Sequence, residues 1–234
     1  MNSTTIGGRP PSCHRMLTTG MIYVLRTGCA WRAVPPDFGP WETVYSRWRL
    51  WCSKGVWEKI LKYLARGRTG ALRFIDSTHL KVHKDAHGGC GGKELQAIGK
   101  SRGGLNSKLH AVVDGKGRLV RASLSPGNVH DAKAAPDLLA GLRGVRIVGD
   151  KAYDSGPLRD TIHRSRSRHC IPSTARRKIP APFHQGYYRH RRHVENFFQR
   201  IKRNRRIATR YDKLADTYFN FILLAACLDW LATS

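Results

Sequence analysis

The apolar positions along this chain change period near residue 71. Before that point Leu17, Met21, Val24 and Leu25 recur on one helix face, and Thr43 to Cys52 and Val56 to Ala65 carry the same period. Pro35-Pro36 and Gly39-Pro40 separate the first helix from the second, and Gly67 to Gly70 is a short linker. From Ala71 the pattern predicts strands: Ala71–Asp76, Lys108–Val113 and Leu119–Leu124, the last two joined by the hairpin signal Asp114-Gly115-Lys116-Gly117. A helix over Asp131–Leu142, a strand over Val145–Asp150, a helix over Gly156–Arg164 and a strand near His169–Pro172 follow. Val194, Phe197, Phe198 and Ile201 then mark the apolar face of an amphipathic helix. The stretch Phe219 to Leu231 reads as a buried C-terminal helix, too short to span a bilayer, so no membrane association is expected.

Helices followed by alternating strands and helices predict an α/β fold with a small N-terminal helical domain. Residues 1–12 are polar and Gly/Pro-rich and are expected to be disordered, residues 13–66 form the helical domain, and residues 71–234 form the second domain. Trp31, Trp41, Tyr45, Trp48, Trp51 and Trp57 supply the bulk of a small helical core. Arg47 and Arg49 on the second helix leave room for a DNA-reading role as well.

Charge narrows the class of partner. The 42 Lys and Arg residues against 16 Asp and Glu give a formal net charge of +26, which favours a polyanion and salt-sensitive binding. The basic residues are densest from Arg143 to Arg210. Six cysteines without a CxxC pair, and no signal-peptide pattern, point to reduced thiols in the cytoplasm. His79, His83, His87 and Cys90 invite a zinc reading, but His79 to His83 continues a strand-like segment, where a spacing of four does not make a helical ligand pair, so zinc is not expected.

On so basic a chain, three carboxylates stand out. Asp76 follows the apolar run Ala71–Ile75 and precedes Ser77-Thr78-His79; Asp150 follows Val145–Gly149 and leads into Lys151-Ala152-Tyr153-Asp154-Ser155. Glu195 lies in a helical stretch with Tyr188, Arg191 and Lys202, spelling Y-x2-R-x3-E-x6-K. At about 100° per residue these four fall within an arc of roughly 60°, a polar stripe beside the apolar face. Carboxylates from separate elements suit hard divalent cations about 3.5–4 Å apart around a scissile phosphate.

These motifs together resemble the DDE transposases of bacterial insertion sequences, most of all the short transposases of insertion-sequence family five. Ile22 to Arg32 and Gly99 to Asp114 share the likeness, which runs from about Gly8 to the C-terminus. The resemblance implies a ribonuclease-H-like catalytic domain, whose element order matches the strands and helices above. In that fold the first and fourth strands lie side by side, so that Asp76 and Asp150 neighbour each other at the strand ends and the last helix brings Glu195 across. It implies catalysis by Asp76, Asp150 and Glu195 holding two Mg²⁺ ions, with Mn²⁺ as the alternative, for DNA cleavage and strand transfer. The expected partners are double-stranded DNA, as inverted repeats and as target, and further copies of the chain assembled on it. Tyr188, Arg191 and Lys202, with Lys100 and Arg102 of the Gly-rich insertion, are the expected DNA contacts. Residues 13–66 become the expected end-binding domain. Family members carry further residues ahead of the Gly8–Pro11 stretch, so part of that domain is expected to be missing.

Other carboxylates have simpler explanations. Asp114 suits a turn, Asp131 a helix start and Asp154 a loop support, with Asp131 the nearest competitor. Asn128 and His130 match a similar Asn and His in the family. The insertion from His87 to Gly104 lacks the Lys-Ser/Thr ending of a nucleotide loop. Two other readings stay open: a ribonuclease-H-like nuclease that cuts without joining, and a DNA-binding transposase remnant acting as a repressor.

Overall fold

The shift from helical to alternating periodicity at Ala71 is where the sheet begins. The computed structural model describes residues 13–67 and 69–233; the disorder expected for residues 1–12 lies outside them. Three helices come first: α1 (His14–Thr27), α2 (Trp41–Ser53) and α3 (Val56–Ala65), with 3₁₀ turns around the Pro35-Pro36 break. Strand β1 (Leu72–Val82) is followed by α4 (Gly92–Leu95), β2 (Gly99–Ser101), β3 (Gly104–Asp114) and β4 (Leu119–Pro126). Next come α5 (Asp131–Leu139), β5 (Arg146–Val148), α6 (Gly156–Arg164), β6 (Arg168–Cys170), α7 (Gln185–Tyr188) and α8 (Arg192–Lys202). The chain finishes with α9 (Arg205–Ala208), β7 (Thr209–Arg210) and α10 (Ala215–Ala232).

The seven described strands form one mixed sheet. β1, β3 and β4 make an antiparallel meander, while β5 pairs parallel to β1 and β6 parallel to β5. This is the ribonuclease-H-like arrangement, with the first and fourth predicted strands adjacent. The hairpin between β3 and β4 closes where Asp114-Gly115 predicts it, with the Gly117 amide donating to the Asp114 carbonyl at 2.9 Å. The Gly-rich insertion folds back as β2, paired with β3 from Gly99 to Ser101. The fifth helix stops at Leu139, short of the expected Leu142; Gly141, in the left-handed region at φ +73°, turns the chain out of the helix.

One expectation needs correction. Asp76 does not end its strand: β1 continues to Val82, because its polar second half is hydrogen-bonded to β3 as far as Lys81 opposite Asn106. What ends is the neighbour. β5 pairs with β1 only at Leu72 to Phe74, and β7 covers the same edge of β1 only at Lys81 and Val82. Between them, among the described residues, the edge of β1 carries no strand.

Strand alternation divides the core. Phe74, Leu80, Leu109, Ala111 and Val148 face α8 and α10, whereas Ile75, Val112 and Ile147 face α5 and α6. The first of these cores extends into α1–α3. Trp48, fully buried, stacks on Phe221 of α10 with ring centroids 4.1 Å apart, and Trp57 lies 5.9 Å from Trp48. α10 is long and apolar enough to cross a membrane by length and composition; here it is wedged between the N-terminal helices and the sheet, which explains its apolar surface on all sides. Arg49 turns back to donate to the Thr217 hydroxyl at 3.0 Å, and Arg47 contacts His14 at 2.7 Å.

Trp48→Ala is expected to cost about 3–5 kcal/mol of stability, as for other buried aromatic truncations. Trp48→Phe should cost much less, because it keeps the ring stack and removes a buried indole N–H that has no partner. Denaturant titration of both variants checks this; equal losses would mean the indole N–H is satisfied in solution.

Candidate active site

Strand register brings the two aspartates together. Phe74 pairs with Val148, so Asp76 and Asp150 each lie two residues further on, on the same face of neighbouring strands. Asp150 leaves the strand and caps the 3₁₀ turn Lys151–Tyr153, its carboxylate accepting from the Ala152 amide at 2.9 Å. Asp76 accepts from the Ser77 amide at 2.8 Å. Gly149 sits at the junction, where an added Cβ would stand 3.0 Å from the Ile75 side chain, so a small residue lets β5 end tightly against β1.

Glu195 arrives on the first turn of α8. The stripe is not on one continuous helix: Tyr188 ends α7, Arg191 closes a 3₁₀ turn, and Glu195 and Lys202 lie on α8. Arg191 and Lys202 nonetheless both reach β1, and Glu195 is tied to Arg191. Arg191 Nη1 donates to Asp76 Oδ2 at 2.6 Å, and its Nη2 donates to Glu195 Oε1. Lys202 Nζ donates to Thr78 Oγ1 at 2.6 Å. Thr78 lies on the same face as Asp76, about 7 Å along β1.

The electrostatics follow from this crowding. Burial pushes the Asp76 carboxyl up to about 6, with the Asp150 and Glu195 charges adding to the rise and the Ser77 amide and Arg191 opposing it. Burial pulls down on Arg191, but Asp76 and Glu195 outweigh it and raise its affinity for a proton. Burial lowers the Lys202 ammonium. The guanidinium therefore plays the part of the counter-cation that three converging carboxylates require. Among the described residues, no three His, Cys, Asp or Glu side chains stand close enough to hold a metal ion as they are; Arg191 stands between two of the candidates.

A family model described as a transposase DDE domain matches residues 68–230, a span holding all three carboxylates. The chain belongs to the DDE-domain transposases. A second model, described as a putative transposase of the IS4/5 family, matches residues 1–61. A putative transposase for insertion sequence element IS6501 from Brucella ovis is 35% identical over 130 residues, which cover 54% of this chain and 99% of that relative. An uncharacterized 16.2 kDa protein of insertion element IS402 from Burkholderia cepacia is 37% identical over 24% of this chain and 40% of its own length. Among solved structures, a piggyBac transposase synaptic complex with hairpin DNA matches with a TM-score of 0.39 and 16% identity, over 54% of this chain and 28% of that one. The catalytic domain of Mos1 mariner transposase matches with a TM-score of 0.30 and 10% identity, over 66% and 90% of the two chains.

The three competing carboxylates of this DDE-domain chain, Asp114, Asp154 and Asp131, are engaged elsewhere. Asp114 is buried in the hairpin turn, accepting from Arg118 Nε at 2.9 Å and Nη2 at 2.7 Å. Burial opposes the ionised form of Asp154, but hydrogen bonds from Arg177, Thr174 and Arg159 hold its carboxyl well below the ordinary range. Asp131 lies across the sheet from Glu195, bound to Ser77 Oγ at 2.8 Å and Lys108 Nζ at 3.1 Å. Lys100 and Arg102 are exposed on the β2–β3 hairpin, away from the carboxylates, and Asn128 and His130 are exposed in the turn before α5. Thr78 carries no site signal of its own in the sequence, although strand alternation after Asp76 places it on the same face.

The titration of Asp76 has a sign. Its folded pKa of about 6 lies above the ordinary carboxylate value, so the stability linked to its proton is complete below about pH 4 and is lost as pH rises through about 6. Asp76→Asn removes that loss. The melting temperature of the variant relative to wild type should therefore rise between pH 4.5 and 7.5. A difference that does not change with pH would show that Asp76 titrates normally.

Proposed function

We propose that this transposase binds the ends of its insertion sequence, cuts the DNA there and joins the freed 3′ ends to target DNA. The observation that carries the reading is the register of Asp76 with Asp150, together with the bridge from Asp76 through Arg191 to Glu195. The donor set fits divalent cations: three carboxylates, no sulfur, and an Asp76 whose raised proton affinity comes partly from the other two charges. Asp76, Asp150 and Glu195 would hold two Mg²⁺ or Mn²⁺ ions, which when bound make water or a 3′ hydroxyl a better nucleophile and steady the charge on the leaving oxygen.

The chain's own residues supply position and charge. Arg191 would turn from Asp76 to a phosphate, trading the paired oxygens of a carboxylate for the two free oxygens of a phosphodiester, which its fork also matches. Tyr188 precedes it by three residues and lies close enough to influence its charge, so both would meet the same strand of DNA. Lys202, braced by Thr78, would hold the next stretch of backbone along β1. Both chemical steps are in-line displacements at phosphorus, so one set of positioned groups serves cleavage and joining without a covalent enzyme intermediate. Joining two ends calls for at least two active sites, so the working assembly is expected to be a homo-oligomer on DNA.

Asp76→Asn, Asp150→Asn and Glu195→Gln are each expected to lower divalent-dependent cleavage of a terminal-repeat duplex by about 100-fold or more. Binding should be unchanged or tighter, because negative charge beside phosphate is lost. Wild-type cleavage in any of the three would remove that residue from the reading, and cleavage without joining by the unaltered protein would reduce it to a nuclease.

Thr78→Val should leave the fold intact and lower cleavage by up to about 100-fold through a misplaced Lys202. If Lys202→Ala and Thr78→Val together lose no more than Lys202→Ala alone, the two act as one unit; additive losses would separate them.

A further inference from the structure

Two adjoining clefts, of 360 and 600 Å³, open at the far end of β5 from Asp150 and share three arginines: Arg146, Arg166 and Arg168. No acidic residue lines either cleft, and among the described residues none of the three arginines is ion-paired. Their placement is set by the sheet. Arg146 pairs in register with Leu72 on one side and with Arg168 on the other. Residues four apart on a strand share a face, so Arg146 and Arg168 lie on the face that carries Asp76 and Asp150. Arg146 precedes Asp150 by four residues, the first three of them in β5, so the two lie up to about 13 Å apart.

The cleft and the carboxylates also share a wall. Tyr187 supports the Arg146 guanidinium at 4.2 Å from its ring centroid, and the same helical run continues through Arg191 to Glu195. Stacking fixes the guanidinium plane and leaves its edge N–H groups free to donate. Arg166 holds a left-handed backbone at φ +57° in the turn that delivers β6, beside the two strand arginines. Three unpaired guanidiniums at a concave rim, without a carboxylate among them, match successive phosphates of a nucleic-acid backbone.

We propose that Arg146, Arg166 and Arg168 grip the backbone of the DNA whose scissile phosphate lies at the carboxylates, about two to four nucleotides away. The upper figure is for contacts that follow the duplex axis at roughly 3.4 Å per step, the lower for a strand that winds across the offset. The inference rests on the DNA reading above, and adds to it a second, sequence-independent anchor on the same sheet face. Such an anchor fixes the direction in which the duplex leaves the site.

The test pairs protein and DNA changes in the full chain. Terminal-repeat duplexes carrying a neutral methylphosphonate about two to four nucleotides from the cleaved bond are titrated against wild type, R146Q/R168Q and R146K/R168K, with melting temperature as the fold check. The Gln variant is expected to bind the unmodified duplex about tenfold or more weaker at low salt, with a log–log salt slope smaller by about 1.8. The neutral linkage should weaken wild type but not the Gln variant, and the Lys variant should keep most of the affinity. The inference is overturned if the Gln variant binds with wild-type affinity and slope, if the neutral linkage weakens both proteins equally, or if a folded Lys variant loses as much as the Gln variant. Failure of the wild-type chain to bind any duplex would overturn the DNA reading as well, which separates the two failures.

Discussion

Three residue pairs between β1 and β5 fix the rest of this structure. Leu72, Arg73 and Phe74 bond to Arg146, Ile147 and Val148, and then β5 leaves the sheet while β1 goes on. A parallel pair that stops early leaves one strand with a bare edge, and backbone groups there must find partners other than a ladder. The Ser77 amide finds the Asp76 carboxylate, and the Ala152 amide finds Asp150. Both aspartates are thus held by the break that exposes them. A shift of one residue in this register would turn Asp150 to the opposite face, towards α5 and α6.

Charge supplies the second constraint. A chain of net charge +26 places three carboxylates on one edge and lets a single arginine, half-buried, bind two of them. The arrangement is one of mutual need. Without a cation the carboxylates repel, and burial, joined by that repulsion, raises the Asp76 carboxyl to about 6. Arg73 and Arg210 are buried, but much of the excess positive charge lies on exposed side chains, where it costs little fold stability and attracts anions at a distance.

Much of this was legible in the residues, and the gaps have physical causes. Helix periodicity predicts the buried face of α8 residue for residue, since Val194, Phe197, Phe198 and Ile201 are all buried. The Asp114-Gly115 hairpin and helix Gly156–Arg164 are equally local signals. The end of β1 was not legible: polar residues after Asp76 look like a turn unless their partner strand is known, and that partner lies some thirty residues on. β2 is three residues long with a glycine in it, too short for any period to show. The stripe geometry places Arg191 beside Glu195, but says nothing of Asp76, 115 residues earlier in the chain. Amphipathic faces on α1–α3 require a partner without identifying α10 as the one.

That last pairing bears on how the molecule is made. Trp48 and Trp57 bury against the helix containing Phe221, which follows Trp57 by 164 residues. At a synthesis rate of about 5–20 residues per second, roughly 10–30 s pass before the cover for those rings has emerged from the ribosome. During that interval the N-terminal helices present a sticky aromatic surface on a strongly cationic nascent chain. Until α10 arrives those rings have no apolar cover, so the packing that completes the N-terminal helices is among the last steps in making the molecule.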